Sequence, residues 1–346
     1  FAFPFSASHV PHCSTVPTQY LTDPTWKNRF LKRYLYQLES RIYQEAEKIV
    51  ALSPGMRDWI LKVAPQKEVF IIPNMADCEF FQKELKDPKL VDFYRAEKPL
   101  VITYLGSIGV TNHLEYLLHI AELALKKELN ISFKVVGSGS QLSNIKLSAY
   151  LKRLSNVEFI GYQNKEGVRR ILNVTDATYV SFANVPVLST NSPNKLFDSL
   201  ASGKLTIVNS NGWTKNLVEK YACGFYTDPE APEDFIEKIL PYLTDRNVLE
   251  VTKHNARNIA EKLYSKKLQI ENLVKVLNNE KFMKEMGSTP RWEGIQTYMA
   301  VRQQAIDAID SGEPGFASLI LLPGKGAIKF NEVASNIKDT YECYIE

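Results

Sequence analysis

Between Pro99 and Thr244, short apolar runs alternate with longer amphipathic ones, and this alternation constrains the fold more than any other feature of the sequence. Runs of about four to eight residues rich in β-branched and aromatic side chains, such as LVITYLG and ISFKVVG, are each followed by a stretch with helical periodicity. Strands that alternate with helices form a parallel sheet covered by helices on both faces. The sequence therefore predicts an α/β fold with a doubly wound parallel sheet.

A shorter unit of the same kind precedes this region. An apolar stripe from Trp26 to about Lys48 predicts a helix, and KIVALSP predicts a buried strand that stops at Ser53-Pro54-Gly55. The helix MRDWILKVA and the strand VFIIPN complete one strand–helix–strand unit. We expect a partial N-terminal α/β region over residues 1–92, a nucleotide-binding Rossmann domain over 93–282, and a C-terminal extension over 283–346.

Composition excludes several classes of protein. The formal net charge of +3 over 346 residues gives no argument for nucleic-acid binding. The four cysteines are widely spaced and form no CxxC or disulfide framework, which fits a reducing compartment. No run approaches the roughly 18 apolar residues of a membrane span, and the start FAFPFSASHVPHCS has no basic region before an apolar stretch, so we do not interpret it as a signal peptide. We therefore expect a cytoplasmic protein.

In a doubly wound sheet, ligands bind beyond the carboxyl ends of the strands, so the loops at those ends hold the candidate site. The loop GSIGVTN places Gly106, Ser107, Gly109 and Asn112 before a helix, where glycines and free N–H groups favour a phosphate. The alternative is a tight turn that needs glycine only for its conformation. The later run VVGSGSQL contains Gly137 but has leucine at the last position of GxGxxG, so we exclude NAD binding.

The most specific segment is SPNKLFDSLASGK, a polar loop that leads into a helix. Lys195 and Asp198 are three residues apart and share one face of that helix. A cation there can neutralise a diphosphate, and a carboxylate one turn further on can accept both hydroxyls of a ribose. Taken alone, the pair is more simply a surface ion pair worth about 0.2–0.5 kcal/mol. The surrounding motifs favour the ligand site.

These motifs resemble those of the retaining glycosyltransferases of the large bacterial polysaccharide family, glycosyl transferases group 1, which have the two-Rossmann-domain GT-B architecture. The resemblance covers roughly residues 28–280, and TYLGSIG, FKVVGSG, NVEFIGYQNKEGV and SPNKLFDSLASGK occur in family order. It implies an incomplete N-terminal domain, because fewer than about a hundred residues precede the donor domain. His9 and His12 align with no catalytic histidine of that domain.

The resemblance also implies roles for individual residues. Lys195 and Asp198 would be the catalytic pair, with Lys195 and Gly109 on the donor diphosphate and Asp198 on the ribose. This sequence differs from the family's common E-x7-E pair: the first position is Thr190 and the second is Asp198. The other implied donor contacts are Gly106, Ser107, Asn112, Gly137, Gly161, Tyr162, Ser192, Pro193, Asn194, Asn211, Gly212 and Trp213, of which Gly161 and Tyr162 would flank the nucleobase.

The activity implied is transfer of a sugar, with retention, from a UDP- or GDP-sugar to a saccharide acceptor. The resemblance further implies that this acceptor is linked to a polyprenyl lipid. The donor region has no Asp-x-Asp motif, so we expect no metal ion or other cofactor. The segment WKNRFLKRY, residues 26–34, mixes cations with aromatics and suits the inner face of the cell membrane, although an ordinary solvated helix face explains it equally. Two alternatives stay open: a sugar-nucleotide epimerase of the same fold, and a non-catalytic sugar-nucleotide-binding module.

Overall fold

The computed structural model describes residues 29–82, 99–277 and 320–321. The chain divides into two compact units, residues 73–269 and residues 1–72 with 270–346. These limits lie at other residues than the predicted boundaries at 92 and 282. Ala76 and Phe81 are buried in an apolar cluster of the larger unit, which explains why the chain from residue 73 onward belongs to it. His9, His12 and Trp26 lie outside the described residues.

The smaller unit contains the predicted strand–helix–strand arrangement. Its elements are α1 (Arg29–Glu45), β1 (Lys48–Ala51), α2 (Pro54–Val63), β2 (Val69–Ile71) and β9 (Ile320–Leu321). β1 pairs parallel with β2 and antiparallel with β9. The residues expected to stop β1 also begin α2, because the Ser53 hydroxyl accepts a hydrogen bond from the Met56 N–H at 3.1 Å and Pro54 occupies the first turn.

Six parallel strands form the sheet of the larger unit, which confirms the predicted fold class. They are β3 (Leu100–Leu105), β4 (Ile131–Val136), β5 (Val157–Ile160), β6 (Ala177–Val180), β7 (Leu205–Val208) and β8 (Gly224–Tyr226). Their order across the sheet is β5-β4-β3-β6-β7-β8. The order reverses between β3 and β6, and the crevice beyond the carboxyl ends of these two strands is where such sheets bind ligands.

Helices connect these strands and cover the sheet. They are α3 (Glu115–Lys126), α4 (Leu142–Leu151), α5 (Lys165–Asn173), α6 (Asn194–Ala201), α7 (Trp213–Lys220), α8 (Glu233–Thr244), α9 (Arg246–Leu263) and α10 (Lys266–Leu277). Neighbouring strand residues enter different apolar clusters: Tyr179 lies in one and Val180 in the other. This alternation is the pleat of strands buried on both faces. Within the described residues, no helix has the length and apolar composition that crossing a bilayer requires.

Candidate functional site

Two glycine-containing loops pack against each other beyond the carboxyl ends of β3 and β4. The Gly106 N–H donates to the carbonyl oxygen of Val136 at 3.0 Å, and the Ile108 N–H donates to that of Ser138 at 2.7 Å. Gly137 has φ +141°, and a Cβ built there would overlap the carbonyl oxygen of Gly106. Glycine is therefore required at position 137 for the two loops to pack. Its implied contact with a ligand stays a prediction.

Lys195, in the first turn of α6, reaches this pair of loops. Its Nζ donates to Asn112 Oδ1 at 2.9 Å and to the Tyr104 hydroxyl at 3.1 Å. The ring centroids of Tyr104 and Phe182 lie 4.5 Å and 4.8 Å from Nζ, which is within the range of cation–π attraction. A Cβ on Gly106 would lie 3.6 Å from Nζ. The structure thus brings Gly106, Asn112 and Lys195 together, as the sequence predicts.

The surroundings of Lys195 are desolvated and neutral. Burial lowers the pKa of Lys195 to about 7, and burial also raises the pKa of Tyr104, so its phenol stays protonated. The Tyr104 hydroxyl donates to the carbonyl oxygen of Ser107 and accepts from Lys195. Among the described residues, no carboxylate forms an ion pair with Lys195. A desolvated ammonium that no carboxylate of the described residues pairs with favours the binding of an anion.

Asp198 lies one turn further along α6 in a different environment. Burial raises its pKa to about 7; the positive charge of Lys165 opposes this shift and the negative charge of Asp77 adds to it. Lys165 and Asp77 form an ion pair at 3.0 Å, and Lys165 Nζ lies 4.4 Å from the ring centroid of Phe80. In the described part of the chain, no group donates a hydrogen bond to the Asp198 carboxylate. Its oxygens are available to hydroxyl donors from a ligand.

The loop before α6 is fixed by its own contacts. The Asn74 N–H donates to the Ser192 hydroxyl at 3.3 Å, and the Asn74 side-chain amide donates to the Ser192 carbonyl oxygen. The Trp213 indole N–H donates to the carbonyl oxygen of Asn191, and a Cβ on Gly212 would overlap the backbone of the same loop. Ser192, Gly212 and Trp213 therefore hold the loop in place, and their implied ligand contacts stay predictions.

The remaining predicted residues lie at the same edge of the sheet with few contacts. Tyr162 is 74% exposed, and a Cβ on Gly161 would meet nothing within 4 Å. Ser107, Asn194 and Asn211 are exposed. Pro193 directly precedes the first turn of α6. The Gly109 carbonyl oxygen accepts a hydrogen bond from the Asn112 N–H at 3.1 Å. The hydroxyl of Thr190 donates to the carbonyl oxygen of Val187 at 2.8 Å.

Four residues that shape the site were not predicted: Tyr104, Phe182, Asp77 and Lys165. Tyr104 belongs to the apolar run of β3, where periodicity alone predicts a core residue, and it contacts a lysine 91 positions later in the chain. Its hydroxyl near the end of the strand was the available signal. Among the described residues, no three His, Cys, Asp or Glu side chains cluster as metal ligands do.

Comparison with known proteins identifies related sequences. Residues 88–259 match the family described as Glycosyl transferases group 1. The chain is 25% identical over 235 residues to TuaH of Bacillus subtilis strain 168, whose name describes a glycosyltransferase of teichuronic acid biosynthesis. The aligned part is 66% of this chain and only 57% of that relative.

Solved structures show the same fold at low sequence identity. Sucrose-phosphate synthase from Thermosynechococcus elongatus has a TM-score of 0.62 at 18% identity, over 77% of this chain and 66% of that one. HepE of Anabaena, solved with UDP and glucose, has a TM-score of 0.57 at 16% identity, over 73% and 68%. TarM of S. aureus, solved with fondaparinux, α-GlcNAc-glycerol and UDP, has a TM-score of 0.56 at 17% identity, over 74% and 48%. Residues 88–259 of this chain therefore match the Glycosyl transferases group 1 family, and the described residues have the fold of the GT-B glycosyltransferases.

Proposed function

We propose that this chain carries the donor-binding domain of a glycosyltransferase that moves a sugar from a nucleoside diphosphate sugar to a saccharide acceptor in cell-surface polysaccharide synthesis. One observation carries the proposal: the Lys195 ammonium lies beside Gly106 at the point where strand order reverses, without a carboxylate partner among the described residues. A diphosphate supplies the missing negative charge, and backbone N–H groups of glycine loops are suited to its oxygens.

The donor we favour is a UDP-sugar. Both HepE and TarM were solved with UDP, which supports uridine over guanosine. In this assignment Asp198 accepts the ribose hydroxyls, because its carboxylate receives no hydrogen bond from the described residues. Gly161 and Tyr162 flank the base, and the exposed ring of Tyr162 is free to stack on it.

In the proposed reaction, the bond between the anomeric carbon and the diphosphate breaks as the acceptor oxygen bonds to that carbon with retention of configuration, and the proton of the acceptor hydroxyl passes to the leaving diphosphate oxygen. Negative charge develops on the leaving diphosphate, and Lys195 lies where it can stabilise that charge without moving. A preorganised donor of this kind contributes about 10²–10³ in rate. No metal ion is required for this role. The anomeric proton coupling of the product in NMR tests retention.

The acceptor we propose is a polyprenyl-linked saccharide at the cytoplasmic membrane face, with residues 26–34 as a contact to anionic headgroups. TuaH, whose name places it in teichuronic acid biosynthesis, supports a cell-surface product. Tyr34, in α1, is 53% exposed and available for a surface contact. Sedimentation with vesicles of anionic or neutral lipid tests the contact: binding that does not depend on anionic lipid contradicts it.

The first experiment is a thermal-shift titration with UDP, GDP and ADP. A ligand that binds only the folded state raises its stability by RT ln(1 + [L]/Kd). We expect a shift with UDP that is lost in Lys195→Ala and kept in Lys127→Ala, which removes an exposed lysine of the same unit. No shift with any nucleotide, or an equal shift in both variants, contradicts the proposed site.

A further inference from the structure

We propose that Tyr104 and Asn112 are positioning residues for the donor diphosphate: they fix the Lys195 ammonium by hydrogen bonds while leaving its positive charge uncompensated. Because these two partners are uncharged, the positive charge of Lys195 stays available to a phosphate, and this makes the site selective for a phosphate-bearing ligand. This inference rests on the proposed function and goes beyond it, because it assigns a role to a strand residue that the family motifs do not mark.

The hydrogen-bonding capacity of the ammonium supports this role. A lysine ammonium has three N–H donors, and in this chain two of them are directed at Tyr104 and Asn112. When Lys195 is protonated, one N–H and an unpaired positive charge remain for a ligand. Gly106 has no side chain, and a Cβ built there would lie 3.6 Å from Nζ, so glycine at this position leaves room for a phosphate oxygen beside the ammonium.

The orientation of the Tyr104 hydroxyl is fixed by a second contact. Because this hydroxyl donates its own proton to the Ser107 carbonyl oxygen, it can offer only a lone pair to Lys195. Tyr104 is fully buried, and burial keeps its phenol protonated. The groups that contact Nζ from β3, from the loop before α3 and from the end of β6 are thus a phenol, an amide and the Phe182 ring. None of them carries a charge.

Asn112→Asp is the decisive variant, because it exchanges the amide oxygen for a carboxylate 2.9 Å from Nζ with almost no change in shape. We expect an ion pair that stabilises the ligand-free fold and weakens UDP binding by at least about tenfold. Binding of uridine, which lacks phosphate, is expected to stay unchanged. Isothermal titration with UDP and uridine, alongside thermal melts of the full chain, measures both effects.

A pH series adds a readout that a purely structural role would not change. UDP binding by the native chain should weaken as pH rises from about 7 to 9, since Lys195 loses its proton when no ligand is bound. In Asn112→Asp the new carboxylate keeps the lysine protonated. The weak binding of that variant should therefore be nearly independent of pH over the same range.

Tyr104→Phe tests the second partner, because it removes the hydroxyl and keeps the ring. We expect UDP binding to weaken by about tenfold, with uridine binding unchanged. Tyr179→Phe is the matched control, since Tyr179 is also a fully buried strand tyrosine of the same apolar cluster. It should bind UDP as the native chain does.

The outcomes separate this inference from the proposed function. A native chain that is folded and binds no UDP would overturn both. If the native chain binds UDP and Asn112→Asp binds it equally well, the positioning role alone is overturned. Equal losses for UDP and uridine in Asn112→Asp and Tyr104→Phe would also overturn it, because they would indicate a general change in the fold. Weakened UDP binding in a more stable Asn112→Asp chain supports the inference.

Discussion

The two ends of the candidate site are built in different ways, although both depend on α6. Burial moves the pKa of Lys195 down and the pKa of Asp198 up, in each case to about 7. Lys195 is held by two hydrogen bonds next to loops that interlock at Gly137. Asp198 receives no hydrogen bond from the described residues and lies beside the charges of Lys165 and Asp77. The cation is therefore positioned before a ligand arrives, whereas the carboxylate depends on the ligand for its partners.

The largest contrast is expected in the tolerance for one added methyl group. Gly137→Ala should lower the free energy of unfolding by about 3 kcal/mol or more, because the new Cβ would overlap the Gly106 carbonyl oxygen at an unfavourable φ. Gly161→Ala should change it by less than about 0.5 kcal/mol, since that position is open. Urea denaturation of both variants measures the difference. Similar losses at the two positions would show that the loops are not packed as described.

The second-largest contrast between the two ends is expected in the loss of UDP affinity when the charge of a lysine is removed. Lys195→Met is expected to weaken UDP binding by about 100-fold, or about 2.7 kcal/mol, because the ammonium has no other charged partner among the described residues. Lys165→Met should weaken it by less than about threefold, since Lys165 is already paired with Asp77. Calorimetric titration compares the two variants. A larger loss of UDP affinity from Lys165→Met would contradict the proposal, because it would indicate that the diphosphate binds near Lys165 and not near Lys195.

The role of Asp198 can be isolated by changing the ligand. The native chain should bind UDP about tenfold more tightly than 2′-deoxy-UDP, because a hydrogen bond to a charged acceptor is worth about 1.5–3 kcal/mol. Asp198→Ala should bind both nucleotides equally, and Lys195→Met should keep the ratio while binding both weakly. If the ratio survives in Asp198→Ala, another group contacts the ribose.

The smallest effect is a pH dependence of stability with opposite signs at the two ends. Because the pKa of Asp198 is raised in the folded chain, the unfolded chain ionises first, and the folded state loses stability as pH rises from about 4 to 7. Because the pKa of Lys195 is lowered in the folded chain, the folded state is destabilised below about pH 7 and regains stability as pH rises towards 10. Asp198→Asn should therefore stabilise the ligand-free chain by about 1 kcal/mol at pH 8 and not at pH 4. Lys195→Met should do so at pH 6 and not at pH 10. Thermal melts across this range check both signs.

The sequence predicted the sheet better than it predicted the contacts within the candidate site. Strand and helix periodicity is local, so the alternation after Pro99 predicted five of the six strands, β3 to β7, and the spacing of Lys195 and Asp198 placed them on one helix face. The packing role of Gly137 and the tethering of Ser192 by Asn74 depend on contacts between distant segments. The same holds for Tyr104, whose partner is 91 residues away. Such contacts follow from topology, which periodicity does not supply.

The interlocking of the two glycine loops has a consequence for how the site moves. The hydrogen bonds from Ile108 to Ser138 and from Gln141 to Ile108 join the loops across the sheet edge. Neither loop can unfold locally without breaking the bonds of the other, so the two form a single cooperative unit and their amides are protected from solvent exchange together. We therefore expect local opening of this sheet edge to occur around Gly161 and Tyr162, for which no such backbone hydrogen bonds are found among the described residues.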